Sequence, residues 1–242
     1  MRDTVVFNDV VISDFYEVID VVRPFAGRTN STQSVSGMNG ARITGSSLNQ
    51  NRLTVVLLMS DVGTRGRREA VRKLSGMLYT DKPSKLLFGS DDGMYYMAIL
   101  DGDVPFVERV RTGRVEINFV TEEPMLYGKR VSYTVPSGGT LRVKVSGTYP
   151  ARPVISGLVT SDPTNTLWGI RLDEGDYIRL DTKSTEPRNV TIDCSERVAY
   201  VEEALALPTL DSDWLELRAG THTIRNDVGS GACMISWQER WI

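Results

Sequence analysis

The chain has 242 residues, 28 lysines and arginines against 31 aspartates and glutamates, a formal net charge of −3 and 40% hydrophobic residues. That balance excludes global disorder and disfavours a dedicated nucleic-acid binder, which carries a basic surplus. Two cysteines (Cys194, Cys233) and one histidine (His222) are too few for an ordinary zinc site or a disulfide framework.

The dominant hydrophobic period is two, the period of a strand with one buried face. In chain order it predicts strands over 5–7, 10–12 and 15–22, with Asn8-Asp9 as the first turn. Residues 24–50 are rich in Gly, Ser, Thr and Asn and have no clear period. A connection that long is uncommon inside a compact domain. It is expected to be an arm, either disordered or seated on a partner's surface. Its sparse apolar residues include Phe25, Val35, Met38, Ile43 and Leu48, and Ile43 and Leu48 are the expected anchors.

A strand at 53–59 precedes the one segment with helical spacing, 64–79, where Val71, Leu74 and Leu78 define the apolar face. Thr64 stands at the capping position, and Asp81-Lys82-Pro83 stops the helix. Arg65, Arg67, Arg68, Arg72 and Lys73 make the helix strongly basic. Its exposed face is either plain solvated surface or, through Arg65, Arg68 and Arg72, a contact with an acidic neighbouring subunit.

Strands are predicted next at 94–100, at 104–111 and around Val115, Ile117 and Phe119. Glu122-Glu123-Pro124 and the Gly128 break place a boundary near Tyr127-Gly128-Lys129, giving domains 1–128 and 129–242. The second half alternates at 141–145 and again from Cys233 to Trp241, with further strands at 154–159, 167–172, 177–180, 190–194, 198–201, 214–217 and 221–225. The expected fold is mainly β: an N-terminal β-domain with one α-helix, then a C-terminal β-sandwich. No apolar run reaches the roughly 20 residues of a membrane span, no secretory leader is expected, and no membrane partner is expected.

No motif carries chemistry. Asp91-Asp92-Gly93 and Asp101-Gly102-Asp103 read as turns rather than calcium loops. Glu122 and Glu123 are adjacent on a strand, so they point to opposite faces and could not flank one bond. His222 lacks an orienting carboxylate dictated by sequence; Asp227 is near in the chain alone. No nucleophile elbow or phosphate-binding glycine loop is present in the sequence, so no catalytic residue, metal or cofactor is expected. Trp168, Tyr177 and Trp214 are the aromatics that would serve a sugar platform, with core packing the ordinary alternative. Both cysteines are expected to be reduced and buried.

Two stretches carry a resemblance. Val6-Phe7-Asn8-Asp9-Val10-Val11-Ile12-Ser13-Asp14-Phe15-Tyr16 resembles the first hairpin of the distal tail proteins (Dit) of long, non-contractile-tailed bacteriophages. The segments 214–224 and 234–241 resemble that family's terminal turn and last strand, with Ala219 where Pro is usual and His222 where Asn is usual. The order of parts agrees along the chain: hairpin, long loop, strand, single helix, strands, second sandwich, terminal turn. The resemblance implies an N-terminal domain that assembles into a hexameric ring bound by an extended arm, with Phe25, Ile43 and Leu48 as arm contacts. It implies a galectin-like or carbohydrate-module-like C-terminal sandwich. It also implies a place at the distal end of the virion tail, between the tail tube protein and a tail-associated fibre or lysin protein. Receptor-binding proteins are further expected partners, and DNA passes through the lumen without specific binding. The rival readings are a cell-wall carbohydrate-binding module and, more remotely, a hydrolase.

Overall fold

The computed structural model describes residues 4–14, 16–60, 63–108 and 112–242. Phe15, Arg111 and the side chain of Thr64, all part of the sequence reading, lie outside the described residues. The chain divides into two compact units between Tyr127 and Gly128.

The first unit contains β1 (Val5–Phe7), β2 (Val10–Val11), β3 (Glu17–Val22), β4 (Arg28–Gln33), β5 (Arg42–Leu48) and β6 (Arg52–Ser60). Helix α1 (Gly63–Leu78) follows, then β7 (Ser84–Phe88), β8 (Tyr95–Leu100), β9 (Phe106–Glu108) and β10 (Thr112–Thr121). The central pair is antiparallel β6 and β10, in register from Thr112 opposite Ser60 to Val120 opposite Arg52. Along β10 the buried residues Val115, Ile117 and Phe119 alternate with less buried ones, as a one-faced strand requires.

The first turn has a simple cause. Phe7 pairs with Val10, so Asn8 and Asp9 form a two-residue hairpin, and both take positive φ, 49° and 63°. Asn and Asp tolerate that conformation better than other side chains with a Cβ. Phe7 then reaches the core, its ring 4.9 Å from that of Phe119.

Helix α1 closes the same core. Val71, Leu74 and Leu78 pack there, and the stripe is continued one turn earlier by Arg67, which is 3% exposed. The sequence reading placed Arg67 among the basic residues of the helix; its spacing from Val71 puts it on the inward face.

The second unit contains β11 (Leu126–Val135) from Gly128 onward, β12 (Thr140–Val145), β13 (Val154–Val159), β14 (Leu167–Leu172), β15 (Tyr177–Asp181) and β16 (Arg188–Asp193). It ends with β17 (Val198–Val201), β18 (Ala204–Ala206), β19 (Gly220–Val228) and β20 (Cys233–Trp241). One sheet runs β12-β19-β14-β15, and the other runs β18-β17-β16-β13-β20-β11. Their inward residues share one core, with Trp168, Ile170, Ile178 and Ile224 from the first sheet and Ile155, Ile192, Ile235 and Trp237 from the second. This is a β-sandwich. The segment 214–217 is not a strand: Leu215 and Leu217 pack into the core, and Leu217 forms an isolated bridge with Ala151, itself outside the strands. Gly128 is also more than a linker residue. A Cβ there would lie 2.1 Å from the Trp241 ring, so the strand needs glycine for close approach.

Both thiols are buried and free. The Cys194 N–H donates to the carbonyl of Pro153, the residue just before β13, while Cys233 lies opposite Gly157 within β13. Four residues along a strand span about 13 Å, beyond the roughly 7 Å limit for a disulfide. Burial pushes both thiols up to about 12. Both are therefore expected to resist a thiol reagent at neutral pH in the folded protein and to react on unfolding. Cys233→Ser should lower stability by about 1–3 kcal/mol in urea melts, because it buries a poorly paired hydroxyl.

Candidate functional site

The arm is a β-ribbon. Strands β4 and β5 pair only with each other, as a separate two-stranded sheet. Its strand pairing comes from backbone hydrogen bonds, since Arg28-Thr29-Asn30-Ser31-Thr32-Gln33 has no apolar period to announce it. Thr29 donates to Asn49, and Asn49 N–H donates to Gly27 O, which ties the base of the ribbon. All of β4 is exposed. Phe25 is 99% exposed and Ile43 63%, whereas Leu48 is half-buried.

A bulge sets the arm's faces. Arg28 lies opposite Leu48 and Thr32 opposite Ile43, with the register shifting between Ser31 and Thr32. Arg28 and Thr32 are four residues apart, so they share a face, and cross-strand partners share it too. Ile43 and Leu48 are five apart and would face opposite ways on a regular strand. The extra residue brings both onto one side of the ribbon.

The basic helix offers a second surface. Arg65, Arg68 and Arg72 are exposed, at spacings that put them on one helix side. Glu69 is paired with Lys73 at 3.8 Å.

In the second unit the sequence candidates are spoken for. Trp168 is a core residue with no exposure. Trp214 is half-buried against the core. The Tyr177 ring has the guanidinium carbons of Arg171 and Arg179 at 4.8 and 4.1 Å from its centroid, and its hydroxyl donates to Asp211 at 2.7 Å. His222 faces Asp173, at 2.8 Å from Nδ1, and the Arg218 carbonyl, at 2.8 Å from Nε2. Asp227, its neighbour in sequence, instead receives Arg171 Nε at 2.6 Å and Arg179 Nε. These contacts fix side chains to one another and leave no open nucleophile and base pair among them.

Among the described residues the chain is mainly β, in two units, with an exposed ribbon. The model for the C-terminal domain of the siphovirus-type tail component matches residues 146–241, and that for the phage tail protein RIFT-related domain matches residues 12–121. The distal tail protein of Bacillus phage SPP1 is 22% identical over 228 residues, covering 91% of this chain and 89% of that protein. The crystal structure of SPP1 Dit, described as a hub of the adsorption apparatus, superposes with a TM-score of 0.82 at 18% identity, covering 100% of both chains. A chain of the phage P2 baseplate in its activated conformation superposes with a TM-score of 0.52 at 10% identity, covering 99% of this chain and 98% of that one. The chain belongs to the siphovirus distal tail protein family, and it is a structural component of the phage tail.

The Asp227 cluster gives a pH prediction. Burial pushes the Asp227 carboxyl up, but hydrogen bonds from Arg179 and Arg171 outweigh that and hold it below the usual carboxylate range. A depressed folded value means stability that is present above about pH 4, the unfolded value, and lost as pH falls through the folded value. Asp227→Asn should lower the unfolding free energy at pH 7, where it leaves two arginines short of a charge, by about 3 kcal/mol. It should also flatten the loss of stability below pH 4, as followed by thermal melts across pH.

Proposed function

We infer that the chain forms a closed ring of six subunits at the distal end of the tail. The ring joins the tail tube protein to the tail-tip proteins: a tail-associated fibre or lysin protein and receptor-binding proteins. DNA passes through its lumen. The observation that carries this reading is the arm. A lone two-stranded ribbon is marginal in water, yet this one aligns Ile43 and Leu48 on a single face. Seated on a neighbouring subunit, each of those side chains gains up to about 1.5–3 kcal/mol from burial. Their cross-strand partners, Arg28 and Thr32, are four residues apart, about 14 Å of strand, so the two anchors grip separate points.

A head-to-tail interface whose rotation closes makes a ring, and such an interface needs no catalytic residue. The SPP1 relative, named a distal tail protein and a hub, supports the position in the tail. The exposed Arg65, Arg68 and Arg72 are a second contact candidate, toward an acidic surface of an adjacent subunit. A net charge of −3 suits a conduit that does not trap DNA through phosphate contacts.

Light scattering on the purified chain should give a mass six times that of the subunit, in equilibrium with monomer on dilution. Deleting residues 28–46 should leave a folded monomer at every concentration, with the mainly-β circular dichroism retained. Full-strength rings from the deletion variant would overturn the role given to the arm. Monomer alone from the intact chain, with no ring in images of tails, would overturn the ring.

A further inference from the structure

The far end of the β4–β5 ribbon holds a residue pair that none of the roles above uses. The two strands are joined by Ser34-Val35-Ser36-Gly37-Met38-Asn39-Gly40-Ala41, and every residue of this loop is exposed. A turn occupies its first half: the Met38 N–H donates to the Val35 carbonyl at 3.1 Å, with Gly37 at a φ of 84°. The turn ends before Asn39. Among the described residues, neither the Asn39 side chain nor the Gly40 N–H takes part in a hydrogen bond. Gly40 has a φ of 89°, which glycine adopts without strain, and a Cβ built there would meet nothing within 4 Å. Asn39 is the one asparagine in the sequence followed by glycine. Elsewhere Asn49, Asn118 and Asn165 each accept a hydrogen bond on Oδ1, and Asn226 Nδ2 donates to the Pro136 carbonyl.

We propose that Asn39-Gly40 is a site of spontaneous covalent modification, at which Asn39 deamidates through a cyclic imide. The Gly40 amide nitrogen gives its proton to solvent base and attacks Asn39 Cγ. A C–N bond forms, the Cγ–Nδ2 bond breaks, and the side-chain nitrogen takes a proton back from solvent and leaves as ammonia. The product is a five-membered ring that joins Cγ to the Gly40 nitrogen. Water then adds to either carbonyl of that ring. Opening at Cγ leaves aspartate; opening at the backbone carbonyl leaves isoaspartate, with the chain rerouted through Cγ. Nothing is oxidised or reduced, and water is the only reagent consumed. Three features favour the step at this place. Glycine puts no Cβ beside the attacking nitrogen. Neither reacting group has to break a hydrogen bond first. The loop lies beyond the ladder that pairs 28–33 with 42–48, and exposed loops rearrange at little cost in free energy. The new carboxylate is ionised at neutral pH. Arg28 and Arg42 are the only charged residues from 28 to 48, so it halves the positive charge of the ribbon and places the change at its tip.

The inference does not rest on the ring. The test incubates the purified full chain as a dilute monomer in neutral buffer for days, then digests it and maps the peptides by mass. Cleavage after Arg28 and Arg42 releases residues 29–42 as one peptide. That peptide should gain one mass unit at Asn39 and separate into two chromatographic forms, aspartate and isoaspartate. The rate should rise as the buffer is made more alkaline, because the Gly40 nitrogen must lose its proton to attack. Asn39→Gln, which turns the attack into closure of a six-membered ring, should slow the gain roughly tenfold or more. Gly40→Ala should slow it several-fold, through the Cβ beside the attacking nitrogen. Circular dichroism checks that both variants keep the mainly-β spectrum. A 29–42 peptide of unchanged mass, a gain just as fast in the Asn39→Gln protein, or a gain that appears first at another asparagine would overturn the proposal. So would aspartate as the sole product at a rate that Gly40→Ala leaves unchanged, which would mean direct hydrolysis of the side chain with no imide.

Discussion

A two-stranded ribbon in water has no interior. Its backbone pairs on one edge of each strand, its other edges face solvent, and its side chains have nothing beneath them. The β4–β5 ribbon is such an element, carried by a unit whose own core, from Phe7 to Phe119, is complete without it. The proposed assembly through the arm rests on that mismatch. Ile43 is exposed and Leu48 only half-buried, and a bulge places both on one face, where in the proposed ring a neighbouring subunit would cover them. The bulge matters more than the composition: without it Ile43 and Leu48 would face opposite ways and could not engage one partner.

The rest of the molecule reads as scaffold. In the first unit the long β6–β10 pair and the inward stripe of α1 build one core, with a buried arginine, Arg67, at the head of the stripe. In the second, Asp227 lies between Arg171 and Arg179, and Tyr177 is held by the same two guanidinium groups. Networks of this kind fix the side chains on a sheet face to one another, which suits a part that must present surfaces at constant geometry.

Much of this fold is legible in the sequence because burial on one face imposes period two. Residues 154–159, 167–172 and 198–201 are strands over those very bounds. Helix spacing at Val71, Leu74 and Leu78 likewise locates α1 to within a residue. The failures share a cause. Strands β4 and β5 bury neither face, so no period marks them, and β18 is three residues long, too short to carry one. The segment 214–217 alternates because Leu215 and Leu217 are buried, yet it pairs through a single bridge. Burial imposes the alternation, and strand pairing does not come with it. The candidate surfaces divide in the same way. Polar composition pointed to the arm and to Ile43 and Leu48, but their shared face depends on a register shift that no single-strand pattern encodes.

The central claim is that the ribbon is completed by a neighbouring subunit. Hydrogen–deuterium exchange on the assembled and the diluted protein tests it most directly, because amide protection reports local opening of the ribbon itself. In the diluted monomer the amides of Arg28–Gln33 and Arg42–Leu48 should exchange within seconds, while those of Arg52–Ser60 stay protected. In the assembly both ribbon strands should become protected, and the β6 core should be unchanged. Ribbon amides that exchange equally fast in the assembly, or that are already protected in the monomer, would contradict the account.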